Sequence, residues 1–225
     1  MPEVRGQLLP VYVVADESGS MNGYIGELNA GLASLHAALL AEPMAAAKVR
    51  FSVLGFSDDV AIRIHLSDLR RENELPQLVS RGATNYGAAF AALLHQIPRD
   101  VASLKQDQYQ VHRPAVFFLS DGQPTDGDSW RQPHGRLTDR NTTREAPNII
   151  ACGIGAAEAA VILSVATKPE FAFVSIAGSD IGSAIAKFCT ALTKSIVASG
   201  RSLASGNAEL AVDRPEGFRM AIDVV

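Results

Sequence analysis

The chain has 225 residues, enough for one large domain or one domain with a small extension, and 47% of them are apolar against 20% charged, the balance of a protein with a sizeable core. Twenty basic and 24 acidic residues leave a formal charge of −4, which excludes a global basic footprint for nucleic acid and is too modest for a disordered polyanion. The two cysteines, Cys152 and Cys189, sit in apolar segments outside any CxxC or Cys/His pattern, so buried, reduced, structural thiols are expected rather than a metal–thiolate site.

The N-terminal stretch MPEVRGQLLP has no apolar secretory core. No apolar run approaches the roughly 20 residues that span a bilayer. The expectation is a cytoplasmic protein with no membrane partner. The first strand is expected at Val11–Ala15, followed by a helix whose stripe is Ile25, Leu28, Leu32, Leu35 and Leu39, at steps of three and four. Strands at Lys48–Phe56 and Val60–Leu66 are separated by Ser57-Asp58-Asp59, a hairpin-sized gap that predicts antiparallel pairing. A second helix is expected over Tyr86–Ile97. Strands at Pro114–Ser120, Asn148–Ile154 and Phe171–Ile176 follow, with helices over Ala156–Thr167 and Ile181–Val197. The polar stretch DSWRQPHGRLTDRNTTREAP, broken by Pro133 and Gly135, suggests a short helix and an irregular loop.

Alternating strands and helices imply an α/β, Rossmann-like three-layer α/β/α sandwich. Its sheet should be six-stranded and mainly parallel, with one antiparallel edge strand from the hairpin. Residues 1–199 form the expected domain. Residues 200–225 lose the helical period and form a C-terminal extension with at most one late strand. Its Arg201, Arg214 and Arg219 either touch a partner or pack back on the domain.

In such sheets ligands bind beyond the carboxyl ends of the strands. The first strand runs into Asp16-Glu17-Ser18-Gly19-Ser20. The fourth ends in Ser120-Asp121-Gly122, and Thr84-Asn85 precede the second large helix. Singly, these read as caps and turns. Together they put hard oxygen donors from three segments at one end of the sheet, without His or Cys. That chemistry suits Mg²⁺, Mn²⁺ or Ca²⁺ rather than zinc or copper. The five histidines show no metal spacing, and none is expected to be catalytic.

On these residues the chain resembles a von Willebrand factor A domain, whose metal-ion-dependent adhesion site (MIDAS) has the pattern Asp-x-Ser-x-Ser, a distant Thr and a distant Asp. The matching positions are Asp16, Ser18, Ser20, Thr84 and Asp121, over a resemblance spanning about Leu9–Ser199. It implies a divalent cation, Mg²⁺ first, with Mn²⁺ or Ca²⁺ as alternatives, and a partner protein that presents an Asp or Glu to it. It implies binding without turnover. Glu17, Met21, Asn22, Tyr24, Asn85, Tyr86, Gln123 and Thr125 flank the motif and are candidates to shape partner specificity, with ordinary surface roles as the alternative; Met21 and Tyr24 also fit the start of the following helix's buried face. The stretch LSDGQPTDG looks like the bacterial cytoplasmic TerY-like branch, associated with tellurium resistance and stress.

A haloacid-dehalogenase-like phosphohydrolase using Asp16 is the enzyme alternative, but position 18 is Ser where that chemistry wants a second Asp. Neither G-x-S-x-G, a P-loop nor G-x-G-x-x-G is present. A metal site that is only structural, with binding through another surface, is the third reading. Asp126, five residues after Asp121, is read either as a group supporting the site's ligands or, in preference, as the cap of the helix beginning near Ser129, and Asp58 and Asp59 are expected to serve the hairpin turn.

Overall fold

A computed structural model describes residues 5–223. The first four residues, which belong to the N-terminal stretch read above, and the last two of the C-terminal extension lie outside the described residues. The described strands are β1 (Gly6–Asp16), β2 (Val49–Phe56), β3 (Val60–Ser67), β4 (Tyr109–Val111), β5 (Ala115–Ser120), β6 (Asn148–Gly153), β7 (Ala172–Ser175) and β8 (Phe218–Met220). The α-helices are α1 (Ile25–Leu40), α2 (Pro43–Ala46), α3 (Tyr86–Gln106), α4 (Arg131–Thr138), α5 (Ala159–Val165) and α6 (Ile181–Ala204).

The sheet runs β3-β2-β1-β5-β6-β7-β8, with β4 beside the start of β1. The inner pairs are parallel, while β3 on β2 and β8 on β7 are antiparallel. The expected three-layer, mainly parallel architecture is therefore present. It has eight strands rather than six, and an antiparallel strand at each edge. The two extra strands, β4 and β8, are three residues long, too short for a hydrophobic pattern to mark, although β8 falls in the C-terminal extension, where one late strand is expected at most.

Strand β1 begins at Gly6, five residues before the expected start at Val11, and runs through Pro10. Pro10 is tolerated because it falls where the β4 ladder, ending at Leu8, gives way to the β5 ladder, starting at Val11. Alternate β1 side chains feed two cores, as the pleat requires. Leu9, Val11, Val13 and Ala15 join α1 and α6 on one face. Tyr12 and Val14 join α3, α4 and α5 on the other.

Helix α6 is long and apolar enough, by length and composition, to cross a membrane, contrary to the expectation that no such run exists. Its buried stripe Ala184, Ile185, Phe188, Leu192 and Ile196 instead packs into the core, leaving Thr190, Lys194 and Arg201 exposed. The expected boundary after Ser199 falls inside this helix. Ser195 and Ser199, both buried, each donate to a backbone oxygen of the helix and accept from the backbone N–H of Asp213 and Ala211. These bonds tie the C-terminal segment to the domain, and Phe218–Met220 then adds β8 to the sheet. The thiols of Cys152 and Cys189 are free and buried.

Candidate functional site

From β1 the chain crosses to β2 on one side, and β5 lies on the other. The carboxyl ends of β1 and β5 are thus the topological switch point, where loops diverge and leave a crevice. Asp16 is the last residue of β1, and Asp121 follows the last residue of β5. Parallel register sets Ala15 against Leu119, bringing Ser120 beside Asp16.

Asp16 accepts at both oxygens: Oδ1 from the Ser18 backbone N–H (2.8 Å) and Oδ2 from Ser120 Oγ (2.6 Å). After Asp16 the chain tightens into a 3₁₀ turn over Gly19–Gly23, which brings Ser20 back over Ser18. Their hydroxyl oxygens are 3.0 Å apart, and Ser20 Oγ donates to Asp121 Oδ1 at 2.8 Å. Four of the five motif residues are therefore joined by a continuous run of polar contacts: Asp16, Ser18, Ser20 and Asp121.

Thr84 comes from a segment without helix or strand, residues 72–85. Ser80 Oγ donates to the Ser18 carbonyl (3.0 Å), and Gly82 O accepts from the Gly19 N–H (2.9 Å). The Thr84 carbonyl accepts from both the N–H and Oγ1 of Thr125, at 2.8 and 3.1 Å. Thr84 thus lies on a backbone strap attached to both loops, and it is 6% exposed. No hydrogen bond joins its hydroxyl to the other four residues among those described.

Burial pushes the carboxyls of Asp16 and Asp121 up from the ordinary range, and Asp121 adds repulsion at Asp16. Hydrogen bonds from Ser18 and Ser120 at Asp16, and from Ser20 at Asp121, oppose this only partly. Among the described residues neither carboxylate has an ion-pair partner. Glu17, between them in the motif, is as buried as Asp16 but is paired with two guanidiniums. The fold neutralises one acid of the three and leaves two facing hydroxyls.

Three residues expected to face a partner do not. Glu17 is fully buried under Arg63 and Arg81. Met21 is fully buried in the α1–α6 core. Tyr86 is fully buried among Phe56, Phe90, Phe118 and Trp130, its hydroxyl donating to the Gly122 carbonyl at 3.2 Å. Being next to a site in sequence does not settle direction, because consecutive side chains of a loop need not point the same way. Asn22 and Thr125 are exposed, and Tyr24 is half-buried against the core. Asn85 caps α3, its Oδ1 accepting from Ala88 N–H at 2.9 Å. Gln123 buries its Nε2 without a partner among the described residues.

Asp126 does not cap its own following helix as expected. Its two oxygens accept from the Tyr86 and Gly87 N–H groups (3.3 and 2.9 Å), satisfying the start of α3. Asp58 reaches beyond its turn to the Ala83 N–H (3.2 Å), and Asp59 pairs with Arg81. Sequence reasoning missed Ser120 as the support of Asp16, although it lies in the quoted Ser120-Asp121-Gly122. It had no signal for Arg63 or Arg81, whose relevance depends wholly on tertiary contact.

A three-layer α/β sandwich with hydroxyl and carboxylate oxygens gathered at its switch point defines a Rossmann-like class of domain. Residues 11–123 match the von Willebrand factor type A domain family, and the chain belongs to it. No curated protein matches the chain in sequence. Among solved structures it is similar to a von Willebrand factor type A protein from Catenulispora acidiphila, with 13% identity, TM-score 0.56, and 85% of this chain and 43% of that one covered. It is also similar to the pilus adhesin SpaC from Lactobacillus rhamnosus GG in its open conformation (13% identity, TM-score 0.65, 87% and 30% covered). A third is proximal thread matrix protein 1 from the mussel byssus with a zinc-occupied MIDAS motif (17% identity, TM-score 0.51, 84% and 46% covered). The chain spans less than half the length of each.

Proposed function

We propose that the chain is a divalent-cation-dependent protein-interaction module with a complete MIDAS, binding without turnover. The observation that carries this is the unneutralised pair Asp16 and Asp121, buried beside the Ser18 and Ser20 hydroxyls while the neighbouring Glu17 has two arginines. Buried charge needs a counter-charge, and an oxygen-only donor set fits a hard cation. The donor chemistry therefore fits the group.

Ser18, Ser20, Thr84, Asp16 and Asp121 would hold the cation, directly or through water. When bound, the cation supplies an incompletely neutralised positive centre, with an open position that a partner's Asp or Glu can fill. Hydroxyl donors support this, because they neutralise less charge than carboxylates would. Asn22, Gln123 and Thr125 lie at the loops that would surround such a contact. Mg²⁺ is the first expectation, with Mn²⁺ and Ca²⁺ next. Zinc belongs in the test series because it occupies the MIDAS motif of the mussel protein. The LSDGQPTDG stretch supports, as a proposal from sequence alone, a cytoplasmic TerY-like setting in tellurite or stress response.

The test is affinity capture from a lysate of the source organism with Mg²⁺, with EDTA, and with an Asp121→Ala bait, read by mass spectrometry. A partner retained only by the wild type with Mg²⁺ supports the proposal. A partner that ignores both EDTA and the substitution moves binding to another surface and leaves any cation a structural role.

A further inference from the structure

Glu17 occupies the variable position between the motif's Asp and its first Ser, yet it is the most heavily bonded side chain of the region. Its Oε1 accepts from Arg63 Nε (2.9 Å) and from the Val79 backbone N–H (3.1 Å). Its Oε2 accepts from Arg63 Nη2 and Arg81 Nε, both at 2.8 Å. Its backbone adds two more bonds, donating to Phe56 O (2.8 Å) and accepting from the Arg81 N–H (2.5 Å). Gly55 leaves the room this requires, since a Cβ there would lie 2.1 Å from Glu17 Cδ. Arg81 continues to the Gly55 carbonyl (3.2 Å) and to Asp59.

These bonds join the end of β1, the β2–β3 hairpin and the strap of residues 72–85. The strap belongs to no ladder, so its position depends on the groups that hold it. Asn29 fixes Leu78 by two bonds, at 2.9 and 2.8 Å, and Asp58 holds Ala83. Glu17 fixes Val79 and Arg81, immediately before Thr84. Four donors fill the carboxylate's oxygens, so Glu17 is unsuited to hold a cation itself, and its burial keeps it from a partner.

We infer that Glu17 is a positioning residue for the cation site: through Val79 and Arg81 it sets where the strap presents Thr84, and so tunes cation affinity. The inference rests on the cation reading proposed above. Groups that orient metal ligands typically change affinity by about 10- to 100-fold when removed. Glu17→Gln also leaves Arg63 and Arg81 less neutralised, which opposes a nearby cation whether or not the strap moves. A double-mutant cycle separates the two effects, because the electrostatic one persists without the Thr84 hydroxyl and the positional one does not.

The experiment measures Mn²⁺ affinity by electron paramagnetic resonance for wild type, Glu17→Gln, Thr84→Ala and the double variant, with near-ultraviolet circular dichroism to confirm the fold. The expected result is about tenfold weaker binding for each single variant, and a double variant weaker than Thr84→Ala only by the smaller electrostatic factor, so that the two single losses do not multiply. Factors that multiply, or full affinity in Glu17→Gln, would overturn the inference and leave the site reading standing. A wild type that binds no Mn²⁺ removes the site reading and this inference together. Should Glu17→Gln not fold, Arg81→Gln, which leaves Glu17 paired with Arg63, carries the same cycle with the same deciding outcomes.

Discussion

Replacing Asp121 by Asn removes a charge without removing an acceptor. The carboxylate oxygen that accepts from Ser20 Oγ becomes an amide oxygen able to accept the same bond. In the cation-free protein this charge is a liability. A carboxyl whose folded pKa is raised contributes stability below its unfolded value and loses it as pH rises through the folded one. At neutral pH, Asp16 and Asp121 are both on the unfavourable side. Asp121→Asn should therefore keep or raise cation-free stability, to within about 1 kcal/mol.

Cation linkage gives the opposite sign. At a concentration 100 times the dissociation constant, a ligand of the folded state adds about 2.7 kcal/mol. For a chain of this size that is about 5–11 °C in Tm. Differential scanning calorimetry of both proteins with EDTA and with Mn²⁺ reads both quantities. The wild type should gain the increment and Asp121→Asn should not. Asp16→Asn is the informative contrast, since both Asp16 oxygens accept, and an amide nitrogen in place of Oδ2 would force the Ser120 hydroxyl to turn from donor to acceptor. It should destabilise the protein by about 1–3 kcal/mol even with EDTA. Equal Mn²⁺ increments in wild type and Asp121→Asn, or a cation-free loss above about 2 kcal/mol in Asp121→Asn, would refute the reasoning.

Two further predictions concern the layers that carry the site. Helices α1 and α6 meet at Gly31, where a Cβ would lie 2.3 Å from Cys189 Sγ, so Gly31→Ala should lose about 1–3 kcal/mol in urea unfolding. The new methyl would also lie 2.6 Å from Cys189 Cβ, which Cys189→Ala keeps, so adding that substitution should restore only part of the loss, and a double variant as unstable as the single would show the thiol contact is not a cause. On the opposite face, Tyr12 Oη donates to Asp100 Oδ2 at 2.9 Å, and burial raises both pKa values. Tyr12→Phe should cost about 1–3 kcal/mol at neutral pH and less as pH falls through the raised value of Asp100, where the protonated carboxyl needs the donor less. A penalty that does not vary over this pH range would remove Asp100 from the explanation.

The layer order and both halves of the switch point are legible along the chain. Continuously apolar runs such as Val11–Ala15 and Phe117–Leu119 mark strands covered on both faces, and the Leu28–Leu39 stripe marks a helix covered on one. The oxygen-bearing segments could be found because a strand that ends on Asp-x-Ser-x-Ser breaks the apolar pattern abruptly. Periodicity and breaks in periodicity are local, so one dimension suffices to show them.

Direction and partnership are not local. Glu17 and Ser18 are neighbours in the chain, yet one turns under two arginines while the other meets Ser20, and nothing in the string distinguishes them. Arg63 and Arg81 lie 46 and 64 residues from the acid they neutralise. Asp126 satisfies a helix that begins 40 residues before it. Strands β4 and β8 exist because neighbouring strand edges offer unpaired N–H and C=O groups to short segments with little β pattern of their own. Which acids keep an uncompensated charge and which are cancelled is decided by the three-dimensional distribution of counter-charge, because electrostatic energy depends on distance through the fold and not along the chain.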